Sequence, residues 1–366
     1  LAAIGKLFNS LFGWNYMLAV IIGALVIISY TSVGGFSAVA TMDLIQSIIM
    51  TVALVVITVF SINQAGGVDA VVENAKSMDG YLSFFQTYDP VAGSAKPYPA
   101  INIFSMLAWG LGYFGMPHIL VRFMAIRDEK ELTLSRRIAA VWVVISMTVA
   151  VCIGMIGNSV SKAGHIPTLE GSASETIIVQ IANLLSTYGW LAAIVAGLIL
   201  AGILAATMST ADSQLLAASS AFSENLLQDV FGMKLTPKQT MLVARGTVIC
   251  IAIIAVFLAS DPNSSVFAIV SFAWAGFGAT FGPTILCALF WKRSNRQGIL
   301  AGLVVGGVMV FVWKFLIAPM GGALAIYELL PAFLSALIAI VVVSLLTPKP
   351  DASVLALFDQ SKQSAE

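Results

Sequence analysis

Apolar residues fill this chain in runs of about 20, the length a helix needs to cross a bilayer. Nine such runs are legible, near residues 14–33, 43–63, 101–121, 138–159, 186–212, 241–259, 265–291, 298–317 and 327–346. Charged residues collect in the links between them. Residues 1–12 read as the tail of an earlier span, and no short-period repeat of the solenoid kind is present. The pattern predicts an all-α integral membrane protein with about nine transmembrane helices.

Basic residues orient these spans, because cytoplasmic links carry the excess of Lys and Arg. Arg122, Arg127, Lys130, Arg136 and Arg137 fall in one link, Lys234, Lys238 and Arg245 in a second, and Lys292, Arg293 and Arg296 in a third. Lys349 and Lys362 lie in the tail. The alternating links 64–100, 160–185, 260–264 and 318–326 hold only Lys76, Lys96 and Lys162, a ratio of thirteen to three. The first group and the C-terminus are therefore expected in the cytoplasm. The outer link 64–100 should hold short helices or mobile coil, and the tail 347–366 should fray. The N-terminus lacks the basic start and cleavable apolar run of a signal peptide. It opens inside an amphipathic segment, as if cut from something longer.

Composition changes the picture only by exclusion. The chain is 59% hydrophobic and 10% charged, against roughly 25% charged in soluble domains. Lipid must be the solvent for much of it. Net charge is zero, so nothing points to nucleic acid. Cys152, Cys250 and Cys287 are far apart in apolar stretches and read as buried bystanders. With two histidines and three lone cysteines, no nucleophile–base pair or metal spacing can be assembled, so no enzyme is expected.

Three stretches do not read as plain spans. The first, Trp109-Gly-Leu-Gly-Tyr-Phe-Gly-Met-Pro-His118, places three glycines and a proline inside one apolar run. Transporters break helices in this way to expose backbone at mid-membrane. Trp109 and Tyr113, four apart, would share a face and wall a small pocket. A glycine-packed helix contact with an aromatic belt is the alternative. His118 and Arg122 follow the break; His118 could gate, hydrogen-bond or be structural.

The second stretch is Ala205 to Gln214. Residues Ala206, Ser209, Thr210 and Ser213 fall on one helical face, and their oxygens are the hard neutral donors that alkali cations prefer. Asp212 adds a carboxylate, and an ionisable residue at membrane depth is a functional hypothesis by default. Alternatively the small residues pack helices and Asp212 already sits at the cytoplasmic boundary. In the third, Asp43 follows Gly34-Gly35-Phe36-Ser37-Ala38 and opens the second span. It is either an N-cap or half of an acidic cation or proton-linked pair with Asp212.

Taken together, WGLGYFGMPHILVRF (109–123), ILAATMSTADSQLL (203–216), SFAWAGFGATFGP (271–283) and YTSVGGFSAVATMD (30–43) resemble the solute:sodium symporter family, its proline-carrying members in particular. The likeness covers essentially the whole chain. It implies sodium-coupled symport of a small amino acid, L-proline being the expected solute, by alternating access in the cell inner or plasma membrane. Pantothenate, a sugar or a carboxylate is the alternative cargo, and a transporter-like sensory module the alternative class. The implied fold is a partial five-plus-five inverted repeat of the leucine-transporter type. Residues 1–63 would be the last helices of repeat one and 64–100 an external loop. Residues 101–291 would form repeat two, 292–346 peripheral helices and 347–366 a cytoplasmic tail. The chain would start at the end of the family's fourth span.

The resemblance assigns sodium to the backbone of Ala206 and the hydroxyls of Ser209 and Thr210, with the remaining ligands on a core helix outside this sequence. It assigns the solute to Trp109, Tyr113 and Pro117. A second cation site would involve Asp43, Asp212 and Ser213 with Ser209, as in sialic-acid-carrying relatives. Proline-carrying members have serine where this chain has Asp212, a departure that leaves the cation and stoichiometry open.

Overall fold

The computed structural model describes the backbone of residues 1–363 and the side chains of residues 1–32 and 39–362. Helix α1 (Ala2–Phe12) is followed by α2 (Tyr16–Gln64), α3 (Val68–Ser77) and a hairpin of β1 (Gln86–Asp89) and β2 (Ser94–Pro97). Then come α4 (Ala100–Gly112), α5 (Pro117–Met124), α6 (Glu131–Lys162), α7 (Ile177–Ser186), α8 (Trp190–Ser220) and α9 (Pro237–Leu258). The chain continues through α10 (Val266–Phe290), α11 (Arg296–Val312), α12 (Leu329–Leu346) and α13 (Ala352–Gln363).

Eight of the nine expected spans have membrane-crossing counterparts among the described residues, and the first corresponds to a shorter apolar helix. Seven helices are long and apolar enough to cross a membrane, α4 and α5 form one span bent by 44°, and Tyr16–Ser32 is a shorter apolar segment. Large apolar side chains stand exposed along them, as on α6 at Val141, Val144 and Val151. Lipid supplies the contact that water cannot. The protein is therefore all-α and membrane-spanning.

Three expectations are corrected. The spans 14–33 and 43–63 are not separated by a loop: α2 is helical over 49 residues, Tyr16–Gln64. Asp43 accordingly lies inside a helix and caps nothing. Glycine costs only about 1 kcal/mol in a helix, so Gly34 and Gly35 do not by themselves end one. Second, the tail does not fray: α13 forms, and Lys292 Nζ lies 2.7 Å from both carboxylate oxygens of Asp359. The last three residues of the 347–366 tail lie outside the described residues. Third, the outer link contains a short helix, as expected, and also the β hairpin. Its turn is set by Asp89, whose carboxylate accepts the N–H groups of Val91 and Ala92 at 2.9 and 3.2 Å. These backbone bonds, Ala92's first, and the neighbouring Lys96 ammonium hold the Asp89 carboxyl below the usual range.

Local sequence sets the helix ends. Asn15 caps α2 by accepting the Leu18 N–H at 3.2 Å. Thr236 and Gln239 form a reciprocal capping box on α9, with Pro237 at the first helical position.

The described chain divides into two compact units. The first comprises Leu1–Asp79 and Ile126–Val266. Its core gathers Ile57 from α2, Ile153, Ile156 and Val160 from α6, Ile181 from α7 and Ile199 from α8. Helices α2 and α8 approach closely at Gly202, where a Cβ would lie 3.1 Å from Ala53 Cβ and 3.7 Å from Met50 Cα.

The second unit comprises Gly80–Ala125 and Phe267–Glu366. Its core holds Ala275 and Ala279 of α10, Val310 of α11 and Leu329, Ala332 and Phe333 of α12. Glycines at Gly298, Gly302 and Gly306, four apart, let α11 press onto α12 and α10. A Cβ on Gly302 would lie 2.2 Å from Ile340 Cγ1, and one on Gly306 2.5 Å from the Ala279 carbonyl. This is the small-xxx-small contact by which helices associate in lipid.

Candidate functional site

In the first unit the Ala206–Ser213 stretch of α8 faces protein along most of the predicted flank. The Ser209 hydroxyl donates to the Ala206 carbonyl at 3.1 Å, and Thr210 donates to the same carbonyl at 3.3 Å. Three oxygens thus gather within one helical turn. Because each hydroxyl proton is directed at the helix backbone, the oxygen lone pairs remain for an external cation. Ala206 and Ser209 are half-buried, Thr210 is exposed, and Ser213 is buried.

Asp212 has no exposed surface. The Tyr30 hydroxyl of α2 donates to Asp212 Oδ2 at 3.1 Å and lies 3.5 Å from the Met208 carbonyl. Asp43 also lies on α2 and approaches the same stretch of α8.

Register explains how Asp43 arrives there. Tyr188 OH donates to Gln64 Oε1 at 2.9 Å, and Gly202 lies against Ala53 and Met50. Along α2 the numbers fall while along α8 they rise, so the helices run antiparallel. Seven residues further, the same register sets Gln46 level with Ser209, and Asp43 level with Asp212 and Ser213. Gln46 is only 5% exposed, and its Oε1 is buried with no hydrogen-bond donor among the described residues. A buried amide oxygen in that state is costly, and it has the donor chemistry of the Ser209 and Thr210 oxygens.

Tyr30 and Gln46 are candidate site residues that sequence reasoning missed. The available signal for Gln46 was an amide three residues after Asp43 in an otherwise apolar run, on the same helical face. Tyr30 had none, since its role depends on α8 coming alongside. Tyr30→Phe removes a donor from a buried carboxyl group, worth about 1–3 kcal/mol. A lower melting temperature of the purified protein, by several degrees, is the expected result.

In the second unit the span 101–121 breaks as the glycine and proline pattern predicts. Helix α4 ends at Gly112, Tyr113–Gly115 form a tighter 3-10 turn, and Met116 is extended at φ −80° and ψ 111° before α5 begins at Pro117. Two causes act at Pro117. Its ring excludes the α conformation at the preceding residue, and it has no N–H to return to the Tyr113 carbonyl. At the break the Met116 C=O is taken up by the N–H groups of Ile119 and Leu120 at 3.0 Å each.

The glycines pack as well. A Cβ on Gly112 would lie 1.9 Å from Trp274 Nε1, and one on Gly115 would meet the Phe277 carbonyl at 2.4 Å. The two readings of this stretch, broken helix and glycine contact, therefore hold together.

Trp109 and Tyr113 meet through a residue to which sequence reasoning gave no role. The Trp109 ring stacks on Phe267, Trp274 and Tyr327 at centroid distances of 5.3, 5.5 and 6.2 Å. Tyr113 meets the edge of Trp274 at 4.8 Å, and Trp274 Nε1 donates to the Trp109 carbonyl at 2.9 Å. Tyr113 is 48% exposed, and Pro117 is half-buried just past the turn.

Apolar spans, one of them broken, and a helix face carrying several oxygen donors are features that secondary transporters use. Among the described residues no three of His, Cys, Asp or Glu cluster for a metal ion. The chain belongs to the sodium:solute symporter family, whose model matches residues 1–306. It is 37% identical to the osmoregulated proline transporter of Bacillus subtilis over 97% of this chain and 68% of that protein. It is 38% identical to the high-affinity proline transporter of the same organism, over 97% of this chain and 71% of the other. With the sodium/proline symporter of Haemophilus influenzae it shares 37% identity over 98% of this chain and 69% of that one. The fold is that of a Na+-coupled sialic acid symporter solved in a substrate-bound outward-open state. That match has a TM-score of 0.70 at 18% identity, covering 95% of this chain and 71% of the other. The fold is accordingly leucine-transporter-like, as expected.

Proposed function

We propose that this protein carries out sodium-coupled symport of L-proline across the cell membrane. The observation that carries the reading is the 37–38% identity to proline transporters along 97–98% of the chain, joined to a hydroxyl-lined face on α8 suited to an alkali cation. Sodium is held by the Ala206 carbonyl and the Ser209 and Thr210 hydroxyls, and Gln46 Oε1 completes the face from α2. Asp43, Asp212 and Ser213 form a second cation position, with Tyr30 orienting Asp212. Proline is held at the break by Tyr113, Pro117 and the Trp109 ring system, whose flat apolar faces suit a pyrrolidine ring. Residues 1–63 close the first repeat, 64–100 lie outside, 101–291 form the second repeat and 292–346 are peripheral. The tail 347–366 faces the cytoplasm.

Coupling is a matter of linkage. If sodium raises the affinity for proline, proline raises the affinity for sodium by the same factor. Each inward sodium charge also gains about 2.3 kcal/mol per 100 mV of membrane potential. Alternating exposure of the loaded core then converts that gradient into proline accumulation.

Uptake of labelled proline into vesicles holding the intact transporter tests this reading. Accumulation should require an inward sodium gradient and should be competed by unlabelled proline. Uptake that ignores sodium, or that pantothenate, sugars or carboxylates compete better than proline, overturns it. Trp109→Ala should raise the KM for proline about tenfold, from loss of ring contacts worth about 0.5–1.5 kcal/mol beyond their buried area. The half-saturating sodium concentration should barely move. The opposite split would remove Trp109 from the solute site.

A further inference from the structure

In the second unit, a cleft of about 480 Å³ lies where α10 and α12 end and α11 and α13 begin. It plays no part in the proposed symport. Its place at the ends of three apolar spans sets it at the boundary between lipid tails and water. Trp291 lines it, a residue type concentrated at headgroup level.

The floor is fixed by hydrogen bonds. Asn295, 6% exposed, donates from Nδ2 to Thr347 Oγ1 and to the Pro348 carbonyl at 2.7 Å each. Arg293 donates to the Thr347 carbonyl at 2.7 Å, which caps the end of α12. The roof is α13. Leu355 and Phe358 line the cleft, and the pairing of Lys292 with Asp359 holds this helix down.

Charge in and around the cleft is unbalanced. Lys292, Arg293, Arg296 and Lys349 stand against Asp351 and Asp359. Arg296 and Lys349 line the cleft, are exposed, and form no ion pair among the described residues. Next to these cations the surface turns apolar. Leu345 and Leu346 at the end of α12 are 59% and 81% exposed, and Val354 and Leu357 on α13 are 51% and 65% exposed.

We propose that this cleft binds the phosphate headgroup of an anionic phospholipid, with Arg296 and Lys349 on the phosphate and the exposed leucines beside its acyl chains. A basic recess between spanning helices at the membrane boundary is suited to such a headgroup. Free phosphate shares the charge but offers nothing to the apolar rim. A zwitterionic lipid offers the tails but brings its own cation to the recess.

The test is binding of phosphatidylglycerol, phosphatidylcholine and inorganic phosphate to the delipidated intact protein in detergent, read by native mass spectrometry. Phosphatidylglycerol should bind most tightly, and inorganic phosphate should not displace it. The double variant Arg296→Gln/Lys349→Gln should lose at least about tenfold in phosphatidylglycerol affinity, with phosphatidylcholine unchanged. Asp351→Asn, which removes the carboxylate lining the cleft, should shift affinity the other way by a few-fold. Equal retention of the two lipids, displacement by inorganic phosphate, or an Asp351→Asn protein that binds phosphatidylglycerol no better than the unaltered one overturns the proposal.

Discussion

Replacing Ser209 and Thr210 together by alanine raises the sodium concentration for half-maximal proline uptake by about a hundredfold or more. The estimate rests on hydrogen-bond-like contacts to a charge, worth about 1.5–3 kcal/mol each, and two such contacts give a factor of that order. The fold should not suffer. Both hydroxyls donate to the Ala206 carbonyl within their own helix, and alanine is the better helix former. Sodium activation should therefore collapse while the melting temperature in detergent stays within a degree or two of the parent's. Sodium dependence that is unchanged in the double variant, with protein correctly inserted, removes these residues from the cation site.

Gly115→Ala is expected to abolish most transport for a different reason. The added Cβ would lie 2.4 Å from the Phe277 carbonyl, 2.9 Å from the Gly282 nitrogen and 3.0 Å from Gly278 Cα. All three are backbone atoms of α10, so no side-chain rotation relieves the clash, and the break between α4 and α5 must shift. Overpacking of this kind costs about 1–3 kcal/mol and sometimes more. A fall in maximal uptake of more than tenfold, with a lower melting temperature, is the expected pair of observations. Gly110→Ala is the control. A Cβ there meets nothing within 4 Å, and exchanging glycine for alanine in a helix gains up to about 1 kcal/mol. Normal uptake in both variants would mean that close glycine packing at the break is dispensable.

How far the sequence could be read depended on whether a feature is local. The spans were legible because 20 apolar residues and a bilayer are matched lengths. The broken span was legible because Gly112, Gly115 and Pro117 act through their own backbone. The continuity of α2 was not, since glycine and aspartate signals often end helices, yet glycine costs only about 1 kcal/mol inside one. The tail helix escaped notice because its partner, Lys292, lies 67 residues away. In the cation site, the α8 face at Ala206, Ser209 and Thr210 could be read from helical spacing. Gln46 had a local signal, its place three residues after Asp43 on the same helical face, whereas Tyr30 had none, since its role depends on Asp212 of α8 reaching its hydroxyl. Trp274 escaped for the same reason: it joins Trp109 to Tyr113 only after α10 has packed beside α4.

Radioactive sodium binding to the purified transporter, measured without any solute, tests the α8 cation site most directly. Saturable binding is predicted for the parent protein and for Thr207→Ala, whose hydroxyl donates to the Ile203 carbonyl at 3.0 Å and lies outside the proposed ligand set. Binding should disappear in Ser209→Ala/Thr210→Ala. Equal sodium binding by the double variant, or its loss in Thr207→Ala as well, would contradict the assignment.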